Sequence, residues 1–281
     1  MGIWAVQPAW FSQVFSLFQS DRLPVVAMYE DGVDAEPPPP YTVEEAGVAL
    51  IHVEGQMIKG ESKFGGANNV ALRKAVRDAT ANSAVKAIAL RIDSPGGTVA
   101  GTQELASAVV AARAGGKPVH AYIEDLGASA AYWVASQAES ISMNALGEAG
   151  SIGVYAVVQD TSGRAERLGI KTYVISTGDY KGSFVDGAPV SKEEIAYVQE
   201  QVDQVNEVFK LAVASGRGDR LTNIDGVSDG RTFIGDKARE LGLVDRIESF
   251  DDFMSRIVAD VKASEQPRRK KIASMAKIGL D

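Results

Sequence analysis

Two glycine-marked corners hold the residues best placed for chemistry. The first, Asp93-Ser94-Pro95-Gly96-Gly97, ends an apolar run and opens a helical pattern. Backbone N–H groups exposed at such a turn can receive an anion. The second, Gly127-Ala128-Ser129-Ala130-Ala131, is a near miss to G-x-S-x-G, with alanine in the last place. In that motif a sharp strand-to-helix turn presents the serine hydroxyl. Small neighbours would let a carbonyl approach Ser129, but the same position suits a plain helix-capping serine.

A nucleophilic serine needs a base within hydrogen-bond reach. The two histidines, His52 and His120, both fall in strand patterns upstream of Ser129, so a Ser…His order is excluded. A Ser–Lys pair remains, and such a lysine must be partly desolvated to accept a proton. A candidate is Lys181 in Gly178-Asp179-Tyr180-Lys181-Gly182-Ser183; taken alone, it reads more readily as a solvated loop lysine than as a base. There is no GxxxxGK[ST], GxGxxG, HExxH or calcium loop, so neither cofactor nor metal is expected.

The elements that must hold these corners alternate. Residues 48–55, 85–94 and 118–124 read as strands, the last two running into the corners. Residues 69–82, 98–116 and 128–138 read as helices. Short strands are expected at 140–144, 151–159 and 171–177, the last after a short helix. A long helix spans 191–215, with Ser191 and Glu194 in capping-box positions. Such alternation predicts an α/β fold with mostly parallel pairing.

The chain has 281 residues, 45% hydrophobic and 23% charged, enough for a sizeable core. A net charge of −8 counts against nucleic-acid binding. The absence of cysteine removes disulfides, thiol nucleophiles and zinc–thiolate sites and fits a reducing compartment. No run reaches about 18 apolar residues, so no membrane span is expected. Trp10, Phe11, Val14, Phe15 and Phe18 share helical spacing and predict a short amphipathic helix. DGVDAEPPPP (31–40) reads as a stiff linker. Residues 262–281 carry +4 against −12 for the rest, and read as a mobile tail. The expected organisation is therefore an N-terminal helix and linker (1–45), a main domain (46–250) and a helix end with a basic tail (251–281).

Several ordered motifs together resemble the Ser–Lys peptidases that include signal peptide peptidase A and the phage head-maturation proteases. These are SPGG (94–97), GASAAYWVAS (127–136), GSIGV (150–154), TGDYKG (177–182) and GRTFIGDKARELGLVD (230–245). The resemblance implies a single main domain of ClpP/crotonase-like α/β fold, with repeated ββα units. It implies Ser129 as nucleophile, Lys181 as base and Ser151 as the residue orienting the lysine. The N–H groups of Gly96 and Ala130 would form the oxyanion hole. Many relatives have Gly-Gly after the serine where this chain has Ala130-Ala131, which still supplies the amide but narrows the approach. Substrate is expected as an extended strand beside Gly97 and beside Ile152, Gly153 and Val154, because open strand edges offer main-chain hydrogen bonds. The membrane anchor usual in signal peptide peptidases is not evident. The helix, proline linker and basic tail look more like the phage branch, acting on scaffold, portal or coat proteins in the host cytoplasm or prohead. The alternatives are a soluble signal-peptide-peptidase-like enzyme, a crotonase-type acyl-CoA enzyme, which needs no Ser–Lys pair, and an inactive structural subunit. Relatives form rings or domes, so a homo-oligomer is expected.

Overall fold

The structure, a computed structural model, describes residues 3–6, 41–60 and 66–278. The predicted helix over Trp10–Phe18 and the 31–40 linker lie outside these residues. In chain order the strands are β1 (Ile3–Val6), β2 (Thr42–Val43), β3 (Val48–Glu54), β4 (Met57–Ile58) and β5 (Ala67–Asn68). Next come β6 (Ala87–Ser94), β7 (Gly96–Thr98), β8 (Val119–Ala128), β9 (Ser140–Met143) and β10 (Glu148–Gly150). The last are β11 (Tyr155–Ala156), β12 (Thr232–Ile234) and β13 (Arg246–Ile247).

The large sheet runs β12-β10-β8-β6-β3-β2, with β9 and β13 branching from β8. Its central pairs, β3–β6, β6–β8 and β8–β10, are parallel. β6 is buried along nearly its whole length, as expected for a parallel strand covered on both faces. β8 serves two neighbours in turn. His120–Ile123 pair with β9, and Leu126–Ala128 pair with β10. A register shift in β8 between these halves lets one strand fork the sheet and carries Gly127 level with Ser94.

The small sheet runs β11-β1-β7-β4-β5. Its relation to the large sheet follows a repeat of strand, strand, helix. β3 passes into β4 and on to helix Asn69–Ala81; β6 passes into β7 and helix Thr102–Ala114. β10 likewise passes into β11. The β8 unit differs: its chain goes straight from Ala128 through Ser129 into helix Ala130–Ala135. It contributes no strand to the small sheet.

The helices form where the pattern demands. Asn68 caps the first by accepting from the amides of Val70 and Ala71, and Leu72, Ala75, Val76 and Ala79 form its buried stripe. Helix Lys192–Arg217 begins on the expected Ser191/Glu194 capping box. Trp133 stacks on Phe209 with ring centroids 4.6 Å apart, tying the helix after Ser129 to this long helix. On the other face of the large sheet, Phe253, Ile257 and Val261 cover Leu50, Ala89 and Tyr122.

Three expectations need correction. Residues 171–177 form no strand: their side chains lack a neighbouring edge and stand largely exposed. Within 151–159 only Tyr155–Ala156 are strand, because Ser151 and Ile152 turn their backbone toward residues 230–231 instead. The change at residue 262 is not a structural boundary, for helix Phe250–Ile278 runs through it and Lys262 pairs with Glu45 at 2.5 Å.

Candidate active site

β6, β8 and β10 are adjacent and parallel, so their carboxyl ends lie side by side. That is where open α/β sheets bind ligands. Ser94 is level with Gly127, and Ala128 with Gly150. The pairings bring the SPGG corner, the Ser129 corner and Ser151 together, although they lie far apart in sequence.

Ser129 has φ 55° and ψ −118°. A non-glycine residue held there costs roughly 1–3 kcal/mol, so its surroundings must enforce it. Its N–H donates to the Gly150 carbonyl at 2.8 Å, and its carbonyl accepts from Trp133 N–H at 2.8 Å. The side chain is buried. Its Oγ has no hydrogen-bond partner among the described residues and makes no capping bond to the helix it precedes. A capping serine would use its hydroxyl on the amides of the next turn. Here that alternative fails, and the hydroxyl is left available for other chemistry.

Ser151 is also buried and also has a positive φ, 51°. Its N–H donates to the Arg231 carbonyl at 2.7 Å, just before β12 pairs with β10. The 230–245 motif therefore holds Ser151 in place, a role its sequence does not reveal. In the first corner Gly96 has φ 88°. Its N–H donates to Ser94 Oγ at 3.2 Å, and that hydroxyl donates to the Gly55 carbonyl at 2.6 Å. Gly97 must lack a side chain, because a Cβ there would lie 1.7 Å from the Met57 carbonyl oxygen. Ala130 follows Ser129 and is fully buried.

Of the substrate-strand candidates, Gly97 lies on a paired edge, level with Ala5. Ile152 is buried, and its carbonyl accepts from Gly230 N–H at 3.2 Å. The second edge lies beyond Gly153 and Val154, at Tyr155–Ala156. Burial pushes the Tyr155 hydroxyl up to about 12, so it is a neutral phenol rather than a base at ordinary pH.

Neither histidine serves the serine. His52 is exposed and pairs with Glu54 at 3.1 Å. His120 lies in the amino-terminal half of β8, bonded to Ser140 Oγ at 2.8 Å, and burial pushes it below the usual imidazole range. Lys181 is not brought to the cluster. It is exposed in the turn 178–184, its own N–H donating to the Gly178 carbonyl at 3.1 Å. No hydrogen bond joins it to Ser129 or Ser151 among the described residues. This turn is anchored to the long helix by Tyr180, whose ring lies 4.9 Å from that of Tyr197. No group of three or more metal-ligating side chains occurs among the described residues.

A largely parallel α/β sheet with repeated strand–strand–helix units defines a ClpP/crotonase-like architecture, and at its carboxyl edge stands Ser129, strained and without a hydrogen-bond partner among the described residues. The chain belongs to peptidase family S49, whose family model matches residues 111–264, more than half of its length, including Ser129, Ser151 and Lys181. It is 30% identical to Protease 4 of Salmonella typhi over 209 residues, which is 74% of this chain and 34% of that protein. It is 28% identical to a putative signal peptide peptidase SppA of Enterococcus faecium, over 66% of this chain and 54% of the relative. It is 27% identical to the capsid assembly protease C of Escherichia phage lambda, over 73% of this chain and 47% of the relative. The chain thus spans only about a third to a half of the length of these relatives.

Proposed function

We propose that this chain is a serine endopeptidase in which Ser129 attacks the scissile carbonyl and Lys181 takes its proton. The carrying observation is the Ser129 hydroxyl itself, buried and without a hydrogen-bond partner among the described residues, on a backbone strained to hold it. Ser151, one strand over, orients the lysine. The N–H groups of Gly96 and Ala130 stabilise the developing oxyanion, Gly96 exchanging its long bond to Ser94 for a shorter, charge-assisted one.

Lys181 reaches Ser129 through assembly of copies of this chain. The segment that carries it exposes Leu168, Ile170, Tyr173 and Ile175, the last two 79% and 96% accessible. Several large apolar side chains exposed within one short segment suit an interaction surface. Packing that surface against a second copy would both desolvate the lysine and bring it to the serine. Substrate binds as an extended strand between β7 and β11, where the β8 unit leaves the small sheet without a strand of its own. Small residues around the nucleophile (Ala128, Ala130 and Ala131) favour small or apolar side chains before the cut.

The substrates we favour are phage scaffold, portal or coat proteins, with action in the host cytoplasm or prohead. Similarity to the lambda protease supports this reading, and among the described residues no helix is long and apolar enough to cross a membrane. Similarity to SppA-type proteins supports the second reading, degradation of residual peptides. Incubating the purified chain with unfolded capsid scaffold and with signal peptides separates the two. Preferential scaffold cleavage that disappears in Ser129→Ala is expected; signal-peptide cleavage alone would transfer the assignment to the second reading.

A further inference from the structure

In the large sheet the order β3, β6, β8, β10 is unbroken, and three of these strands have a continuation in the small sheet: β4, β7 and β11. The fourth, β8, ends in Ser129. The small sheet therefore has a strand-wide gap between β7 and β11, in line with the nucleophile. That gap is filled in the structure by β1. Trp4, Ala5 and Val6 pair antiparallel with Thr98, Gly97 and Gly96, while Ile3 and Trp4 pair antiparallel with Ala156 and Tyr155. The two flanking edges run parallel to each other, because each runs antiparallel to β1. A strand supplied by the fold's own repeat would run parallel to them as well. β1 runs the other way, and it places Val6 beside Gly96 at the corner next to Ser129.

We propose that Ile3–Val6 is an internal ligand of the substrate cleft, an extended apolar segment held where a polypeptide substrate binds and competing with it. The inference rests on the reading of Ser129 as a peptidase nucleophile and adds the identity of the cleft's resident occupant. Three observations carry it: pairing on both edges at once, antiparallel direction, and register that ends at Gly96. A strand bonded on two sides completes the ladder of each neighbour, satisfying N–H and C=O groups that an empty cleft would leave open. The segment Ile3-Trp4-Ala5-Val6 is uncharged and ends one residue before Gln7-Pro8. With Lys181 exposed and not bonded to Ser129 in the single chain, the segment is held without being cut.

Cross-linking tests the pairing without relying on activity. The chain has no cysteine, so in Trp4→Cys/Thr98→Cys the only possible bridge within a chain is the cross-strand pair. Residues directly opposite in antiparallel strands have Cα separations of about 4.5–5.5 Å, within disulfide range. Mild oxidation should give an intramolecular disulfide at monomer mass, and excess synthetic peptide GIWAVQPA should slow its formation. No bridge, or bridges only between chains, overturns the proposal. Kinetics then tests competition. Ala5→Pro removes an amide donor and disrupts the ladder. If the free cleft is open about one tenth of the time, KM for a reporter peptide should fall about tenfold with kcat unchanged. An unchanged KM in Ala5→Pro, with hydrolysis still dependent on Ser129, overturns this inference while leaving the peptidase reading intact. If the native chain and Ala5→Pro both fail to hydrolyse any peptide, the peptidase reading fails and this inference falls with it, whatever the cross-link shows of the pairing.

Discussion

The Ser129 corner and the segment carrying Lys181 are constructed in opposite ways. The backbone around Ser129 is set by its neighbours: its amide by Gly150 of the adjacent strand, its carbonyl by Trp133 in the helix that follows, and Ser151 by Arg231. The corner is buried, glycine-lined and strained, which a fold tolerates only where packing over-determines the geometry. The 168–185 segment instead bonds mostly to itself through local turns and shows apolar side chains to solvent. One half of the proposed dyad is thus prepared by the fold of the single chain, while the other is presented on a surface. Preorganisation matters most for the atom that attacks and for the oxyanion donors. A base can arrive with assembly, which would keep an unassembled chain inactive.

The comparison breaks most sharply at Ser129. Ser129→Ala should lower kcat by about 10⁶, as loss of a catalytic nucleophile does, with folding and oligomeric state unchanged. Residual hydrolysis above a few per cent in a clean preparation would sink the assignment. Next comes Lys181→Met, expected to be inactive over the whole pH range, with Lys181→His giving no rescue. Mixing Ser129→Ala with Lys181→Met should restore activity, since a mixed assembly contains one complete pair. Failure of mixing, with each variant assembled, would place both residues of the dyad in one chain.

The rigid half can be loosened without touching the chemistry. Arg217 is buried and binds Asp245 through two hydrogen bonds of 2.8 and 3.0 Å, and Asp245 also accepts from the Ile141 amide. Arg217→Ala removes the buried partner and leaves Asp245 only the Ile141 amide and Arg220, and should destabilise the fold by up to about 3 kcal/mol, read by denaturant unfolding. Burial pushes Asp245 up, but the hydrogen bonds and charge of Arg217, with Ile141 and Arg220, outweigh it, so its carboxyl titrates below its ordinary range. A depressed native value means the contribution is full above the unfolded carboxylate range and is lost as pH falls through the native value. The difference between native chain and variant should therefore be constant near neutrality and shrink in acid.

Smaller effects are expected at the exposed segment and the tail. Ile175→Asp should weaken self-association and reduce activity at low protein concentration, leaving Tm within about 1 °C, because exposed substitutions change stability little. Unchanged sedimentation would remove the interface from the proposal. Deleting residues 266–281 should leave peptide hydrolysis unaltered while reducing salt-sensitive binding to an acidic assembly partner, since exposed charges are screened beyond about 8 Å at physiological ionic strength.

Local pattern was enough to locate most of the frame. The apolar runs at 48–55 and 85–94, the capping box at Ser191 and the glycines at 96–97 and 127 are short-range signals, and each appears where its residues require. The ordered motifs also single out Ser129, Ser151 and Lys181. The failures were at long-range pairings. KTYVIST has the composition of a strand, yet a strand forms only against an edge, and no edge lies beside it in the single chain. Ile3–Val6 carries too few residues to announce itself, and its pairing depends on edges about 90 and 150 residues away.

The sequence by itself determined the alternation of elements, the two corners, the absence of a usable histidine and the family resemblance, because these reside in residue types and short spacings. Only the tertiary structure decided that Ser129 makes no cap, that Gly150 and Arg231 lock the two serines, that Lys181 stands apart, and that the strand missing beside the nucleophile is replaced by β1. The physical reason is that register and strand order are set by which edges remain unsatisfied once the sheets assemble. That is a property of the whole chain's packing, and no local window of sequence contains it.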